Sequence, residues 1–321
     1  MAYSSHDVCI RGSGIVGRTL ALLLARHRLR VGLVESPAPA GNQPDIRAYA
    51  LNHRSQRLLA GLKCWPGAER ATPVLQMRVL GDGHAQTVFD AGRMDQEAMT
   101  WIVDVPTLEH MLQQACQYQS GIDIITADKA DAAPAPLTVV CEGKHSTTRQ
   151  QLGVDYDVTP YGQTAIATRA TLDAPHLQIA WQWFNHTGSE GEILAFLPLD
   201  GPEGREVAIV WSVDRNRVDD LLTLDDAAFA AHLQNAAHLQ PSDAPNVIGV
   251  QRRVAWPLQL GLARRWAGSR IGADGVSRHN WVLAGDAAHS VHPLAGQGLN
   301  LGLADVALLD QIIGARPYWR S

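Results

Sequence analysis

The chain has 321 residues, of which 46% are hydrophobic and 18% charged, and a net charge of −5. That length accommodates two domains and a sizeable core, and that balance excludes intrinsic disorder. Only three of the basic residues are Lys and no basic stripe forms, which argues against a nucleic-acid partner.

No apolar run approaches the ~20 residues of a membrane span. The N-terminus carries no cationic targeting segment, and Cys9, Cys64, Cys116 and Cys141 lack CxxC spacing. A cytoplasmic protein with reduced thiols is the expectation.

In chain order, Val8-Cys9-Ile10 reads as a buried strand, Gly12-Ser13-Gly14-Ile15-Val16-Gly17 as a turn, and Leu20 to Ala25 as helix. In that setting Gly12 makes the tight turn, Gly14 lets backbone reach a pyrophosphate, and Gly17 lets the helix pack on the strand. A second strand, Arg30 to Val34, ends in Glu35, where this motif places an acid for a pair of ribose hydroxyls. Arg11 stands where a small apolar residue is usual. Ser13 lacks the GxSxG spacing of a nucleophile elbow.

A helix is expected over Arg54 to Leu62, and strands within Met77 to Phe89 around the turn Gly81-Asp82-Gly83. Leu108 to Gln119 reads as a helix with Leu108, Met111, Leu112 and Ala115 on one face. Ile122 to Thr126 and Leu137 to Cys141 read as strands of a parallel sheet. From about residue 153 to 272 the character changes to consecutive strands: Thr164 to Thr171, Leu177 to Phe184, Glu192 to Leu197 and Glu206 to Val213. Ile179, Trp181 and Trp183 share one face, as do Val207, Ile209, Trp211 and Val213, which implies a sheet with one wet face. A helix over Asp225 to His238 is capped by Thr223 or Asp225.

The last block carries the most chemistry. A strand, Trp281 to Ala284, reaches Gly285-Asp286, and a second turn from Pro293 to Gly298 leads into an apolar helix. Glycines 285, 296 and 298 let backbone approach a ligand, and the helix offers unpaired N–H groups and a positive dipole end. Asp286, at a strand's carboxyl end, suits the hydroxyls of a sugar or ribitol chain.

Together with Asp45-Ile46-Arg47-Ala48-Tyr49-Ala50-Leu51, these two blocks resemble the FAD-binding elements of group A flavoprotein monooxygenases. The chain is most similar to the ubiquinone-biosynthesis hydroxylases of 2-polyprenylphenol and 2-polyprenyl-6-methoxyphenol. The likeness continues through Pro73 to Asp90, Phe196-Leu197-Pro198-Leu199, Val207 to Trp211 and Trp256-Pro257-Leu258.

The resemblance implies an α/β fold: a Rossmann-like, para-hydroxybenzoate hydroxylase-like FAD-binding domain with an interleaved β-sheet substrate domain. The first would hold residues 1–72, 102–152 and 273–321, the second 73–101 and 153–272. It also implies that Glu35 holds the adenosine ribose, that Arg47 lies against FAD and that Asp286 binds the ribitol. Gly296, Gln297 and Gly298 would approach the flavin ring, Pro293 and Leu294 would wall it, and Gly285 and Asn300 would complete the set. NAD(P)H would reduce the flavin, O2 would be trapped as a C4a-hydroperoxide, and a phenol, polyprenylated in this family, would be hydroxylated. Association with a membrane surface or a quinone-synthesis complex follows from such a substrate.

Three departures from the family pattern stand out. Cys141-Glu142-Gly143-Lys144-His145-Ser146 replaces a motif in which Asp serves both FAD and donor. The Gly121 to Pro136 connector is short, and the chain ends at Ser321 where relatives continue, as in a trimmed member or a shortened chain. Two other readings therefore stand beside hydroxylation: a non-hydroxylating FAD oxidoreductase, and a weakened flavoprotein serving as an assembly component.

The remaining constellations have plainer readings. His289 and His292 are spaced like a metal pair without a third ligand, so no metal is expected. Trp181-Gln182-Trp183 lacks the Ile-Pro that follows the WxW of flavin halogenases. The pairs Arg252-Arg253 and Arg264-Arg265 read as solvated surface. Trp101 either approaches the flavin or packs in the core.

Overall fold

The computed structural model describes residues 6–35, 45–81, 85–132, 135–185, 191–238, 243–271, 278–292 and 296–316. A βαβ unit opens the chain: β1 (Val8–Arg11), α1 (Ile15–Arg26) and β2 (Val31–Val34). It is followed by β3 (Ala48–Leu51), α2 (His53–Gly61), β4 (Ala71–Val74), β5 (Gln76–Leu80), β6 (Gln86–Asp90), β7 (Thr100–Asp104) and α3 (Val105–Tyr118). Next come β8 (Ile122–Ile125), β9 (Leu137–Val140) and the short α4 (Thr147–Gln151). The middle of the chain forms β10 (Tyr156–Leu172), β11 (Ile179–Asn185), β12 (Glu192–Pro198), β13 (Glu206–Asp214), α5 (Val218–Thr223) and α6 (Asp226–His238). The rest forms β14 (Val247–Val250), β15 (Val254–Ala263), β16 (Ala267–Ile271), β17 (Arg278–Leu283), β18 (His289–Ser290) and α7 (Gln297–Gly314).

One sheet has the order β16-β17-β9-β1-β2-β8. Its strands are parallel except at the β16 edge. Its central strands β1 and β2 are apolar but for Arg11, and α1, buried on nearly every side, packs between α3 and α7. Asp104 starts α3, with Oδ2 accepting from the Thr107 N–H at 3.1 Å.

A second sheet runs β18-β15-β10-β13-β12-β11-β5-β6, with β14 beside β10. A small sheet, β3-β7-β4, lies alongside. Its strands β4 and β7 span positions 73 and 101, where the expected domain boundaries fall. β16, expected in the second domain, hydrogen-bonds to the first sheet.

The long β10 begins eight residues before the expected start at Thr164. Its register on β15 shifts between Pro160 and Thr164, since a proline within a strand cannot donate to the ladder. Asp225 is the cap of α6, its Oδ1 accepting from the Ala228 N–H at 2.7 Å.

The expectation of a wet face on the second sheet is corrected. Trp181, Trp183, Ile209 and Trp211 pack beneath α5 and α6, against Val218, Leu221, Phe229 and Leu233. Trp183 meets Phe196 edge-on at 4.8 Å between ring centroids. Helix burial, rather than solvent, explains that apolar stripe. The opposite face, built from residues such as Ala180, Ala195, Ala208 and Val210, looks into a cavity shared with the first sheet.

Arg252, Arg264 and Arg265 are exposed, as expected of surface pairs, and Arg253 is the part-buried exception. Arg253 donates to the Leu224 carbonyl at 2.8 Å and lies over the Phe229 ring; Arg264 pairs with Asp157 at 2.9 Å and Arg265 lies over Trp281. All four cysteines are free thiols. Burial pushes the Cys116 thiol up to about 12. Among the described residues, no helix is long and apolar enough to cross a membrane.

Candidate active site between the two sheets

Three turns distant in sequence meet at the carboxyl ends of β1, β9 and β17, because β9 pairs in parallel with both of the others. Strand order reverses between β1 and β9, since β2 and β8 add on one side of β1 and β9 and β17 on the other; such a switch point is the crevice where open α/β sheets bind ligands. Gly12 ends β1 with φ +107°, and a Cβ there would collide with the Cys141 carbonyl of the neighbouring turn. A Cβ on Gly17 would collide with the Gly12 carbonyl, so helix and turn touch backbone to backbone.

A cavity of about 710 Å³ opens over these turns. Its floor includes Gly14, Arg47, Gly285, Asp286, Gly296, Gln297, Gly298 and Asn300. Gly12 and Gly17 lie behind it as supports. Glu35 follows β2, half-buried, with its N–H donating to the Ile125 carbonyl at 2.8 Å. Pro293 and Leu294 lie outside the described residues.

Two helix N-termini point at the cavity without a side-chain cap: α1 behind Gly14 and α7 behind Gly296, which takes a left-handed φ of +63°. Uncapped N–H groups with a dipole's positive end form an anion site. A Cβ on Gly14 or Gly298 would meet no protein atom within 4 Å. The space above both is left open.

Asp286 is open to the cavity yet deep among protein atoms. Burial pushes its carboxyl above the usual range, against the pull of His289 and Lys144. Asp305 of α7 braces the turn, with Oδ2 accepting from the Gly285 N–H at 2.9 Å and lying 2.7 Å from His289 Nε2. The hydrogen bond to Asp305 raises the His289 pKa despite burial. Asp305 is thus the hydrogen-bond partner of His289. His292 packs edge-on against Tyr161, and burial lowers its pKa.

Arg47 is clamped by Asp45, with Nε donating to Oδ1 at 2.9 Å, and by Glu109 at 3.2 Å. Burial works against both charges, but their mutual bonds win, lowering the Asp45 pKa and raising that of Arg47. Asn300 is fully occupied: Oδ1 accepts from the Asn52 N–H and Ser55 Oγ, and Nδ2 donates to the Ala50 and Gly296 carbonyls. It ties α7 to β3 and α2, with no polar valence left for a ligand.

The Glu142 turn is likewise self-contained. Its carboxylate accepts from Ser146 Oγ at 2.7 Å and from the Thr148 N–H and Oγ1 at 3.0 and 2.7 Å, while Gly143 and Lys144 line the cavity. Arg11 reaches the same place, donating to Thr148 Oγ1 at 3.3 Å, which accounts for a charged residue before Gly12.

Sequence reasoning missed Arg149. Buried, it donates to the Ala287 and Lys144 carbonyls and lies 3.8 Å from the Tyr156 ring centroid, joining two cavity turns. Nothing in its sequence neighbourhood marks it. Trp101 packs in the core against His53 and Trp65.

Residues 125–316 match the family described as FAD binding domain. The chain is 30% identical to ubiquinone hydroxylase UbiL of Rhodospirillum rubrum, across 97% of this chain and 73% of that protein. The chain belongs to this FAD-binding family. It is also 29% identical to the 3-demethoxyubiquinol 3-hydroxylase of Escherichia coli, over 100% of this chain and 84% of that protein. Among solved structures, a variant of Pseudomonas aeruginosa PqsL shares the fold at a TM-score of 0.72 and 19% identity, covering 96% of this chain and 86% of that one.

The chain is thus an FAD-dependent monooxygenase of the aromatic hydroxylase type, with the fold expected for one. The residues present fit the cofactor. Open space over two glycines, two uncapped helix ends and a carboxylate beside them match a pyrophosphate, a polyol chain and an electron-rich ring edge.

Proposed function

We propose that this enzyme hydroxylates the ring of a hydrophobic phenol, a polyprenylated ubiquinone precursor, using NAD(P)H and O2. One observation carries the substrate class. Every charged side chain lining the cavity — Arg47, Glu109, Lys144 and Asp286 — stands on the cofactor side. The wall formed by the second sheet presents Met77, Ala180, Ile193, Ala195, Leu197 and Val210 with no charge among the described residues. Such a wall suits a ring with an apolar tail and offers no cation for a benzoate carboxylate. The names of the two relatives point the same way.

In this reading Gly12, Gly14 and Gly17 admit the pyrophosphate to the α1 N-terminus, Glu35 takes the adenosine ribose and Asp286 the ribitol. Arg47, held rigid by Asp45 and Glu109, lies along the cofactor, with Gly285 and Asn300 as supports rather than ligands. Gly296, Gln297 and Gly298 bring the α7 N-terminus to the flavin's pyrimidine edge, where it steadies negative charge. Pro293 and Leu294 keep their proposed place beside the ring. Bound FAD supplies the redox chemistry, carrying two electrons from NAD(P)H to O2 so that one oxygen enters the ring and the other leaves as water. The protein's share is to hold both rings and exclude water from the cleft.

We assign cofactor binding to the first and small sheets with their helices, and substrate binding to the second sheet with α5 and α6. A lipophilic substrate is met at a membrane surface or handed over by a protein of quinone synthesis.

The test is product mass analysis after incubation with FAD, NAD(P)H, O2 and a panel of phenols. Hydroxylated prenylphenol is expected; preference for small hydroxybenzoates would overturn the substrate assignment. Gly14→Val should abolish FAD binding, and Asp286→Ala should weaken it by about 1–3 kcal/mol, read by flavin titration. Parent-like binding in both would refute the cofactor roles.

A further inference from the structure

Two long polar side chains of the second sheet line the cavity, Gln182 of β11 and Gln259 of β15, and Gln182 is the one set amid the wall of Ala180, Ala195 and Val210. Gln182 sits at the middle of β11, its cross-strand neighbours being Val79 of β5 and Ala195 of β12. All three share one face of the sheet, away from Trp181 and Trp183, and Gln182 and Ala195 line the cavity. Gln182 is half-buried, and its carboxamide makes no hydrogen bond to any described residue.

A carboxamide in an apolar setting is costly unless its donors and acceptor find partners. The Asn300 amide, by contrast, is used by the protein, with four hydrogen bonds. Gln182 is a central residue of a rigid, paired strand, so its position is set by the sheet rather than by a loop. Its amide offers both a donor and an acceptor, matching a ring hydroxyl, which can do either, and a ring ether or carbonyl, which can only accept.

We infer that Gln182 is the residue that recognises an oxygen substituent on the aromatic substrate. It thereby orients the ring against the cofactor and sets which ring carbon is presented. The inference rests on the substrate class proposed above and adds the contact that selects within it. A site built to hydrogen-bond a hydroxyl rejects the analogue lacking it, because the amide, covered by the bound ring, is then left unpaired.

The experiment measures binding of 2-prenylphenol and of prenylbenzene to the FAD-loaded enzyme, by change in flavin fluorescence, for the parent, Gln182→Leu and Gln182→Asn. The parent should favour the phenol by about tenfold, the size of one neutral hydrogen bond. Gln182→Leu should bind the two rings alike while retaining FAD and the parent's melting midpoint, and should scatter the position of hydroxylation. Gln182→Asn, a shorter amide, should recover part of the discrimination.

A leucine variant that still prefers the phenol tenfold, or that weakens both rings equally, overturns the assignment of Gln182. A parent that binds the two rings alike overturns it too. A parent that binds neither ring refutes the substrate reading itself, and that failure shows before any variant is made.

Discussion

His289 and Asp305 lie 2.7 Å apart beneath the Gly285 turn, and the contact raises the imidazole pKa above its ordinary value. A group whose folded pKa is raised contributes stability that is complete below the unfolded value, about 6.5. That contribution is lost as pH climbs through the folded value. Replacing it by His289→Gln should therefore cost most stability in mildly acidic solution, and the gap to the parent should narrow toward about pH 9. Denaturant unfolding of both proteins across that span checks the sign; a constant gap would show that the imidazole charge contributes nothing. The same residue illustrates a general point about histidines near glycine turns. Its spacing from His292 suggests a metal, while its actual partner lies sixteen residues away on a helix.

At the scale of elements, α4 and the turn before it form a bracket closed by Glu142, Ser146 and Thr148, with Arg11 reaching in from β1. Ser146 also caps the helix, its Oγ accepting from the Arg149 N–H at 3.0 Å. Removing the carboxylate leaves three donors without their acceptor, so Glu142→Ala should cost about 1–3 kcal/mol of stability. Because Glu142 points into the turn while its neighbours Cys141, Gly143 and Lys144 line the cavity, flavin reduction by NAD(P)H at saturating FAD should stay near the parent rate. Stopped-flow reduction beside a thermal melt separates the two effects. A slow reduction with an unchanged melt would restore Glu142 as a direct participant in donor use.

On the scale of the whole molecule, the second sheet is pinned to the small sheet by Arg169 of β10. Its NH2 lies 2.5 Å from Asp104 Oδ1, and its Nε donates to the Ile46 carbonyl at 3.2 Å. Burial opposes the Asp104 charge, but bonds from Thr107 and Arg169 overcome it and hold the carboxyl below its usual range. Breaking a largely buried pair by removing one partner costs about 3 kcal/mol or more. Arg169→Met should lower the melting midpoint and split one cooperative transition into two, the substrate sheet loosening first. Calorimetry that finds a single transition at the parent midpoint would rule this out.

What the amino-acid order determined alone was chemistry carried by short-range patterns. The turn through Gly12, Gly14 and Gly17 is legible because strand, turn and helix follow one another within a single βαβ unit. Gly285-Asp286 is legible for the same reason. The apolar α1 and the alternating Trp of β11 and β13 also announce their elements, since period alone distinguishes a helix from a strand.

Alternation separates two faces of a strand but does not say which layer each will meet. Only packing decided that the Trp face goes under α5 and α6 and the alanine face over the cofactor. Likewise, the Gly12 and Gly285 turns become neighbours only because β9, remote from both in sequence, slots between β1 and β17. Arg149, Asp305 and Gln182 take their meaning from that juxtaposition. Their surroundings arise from strand pairing and helix docking across long sequence separations.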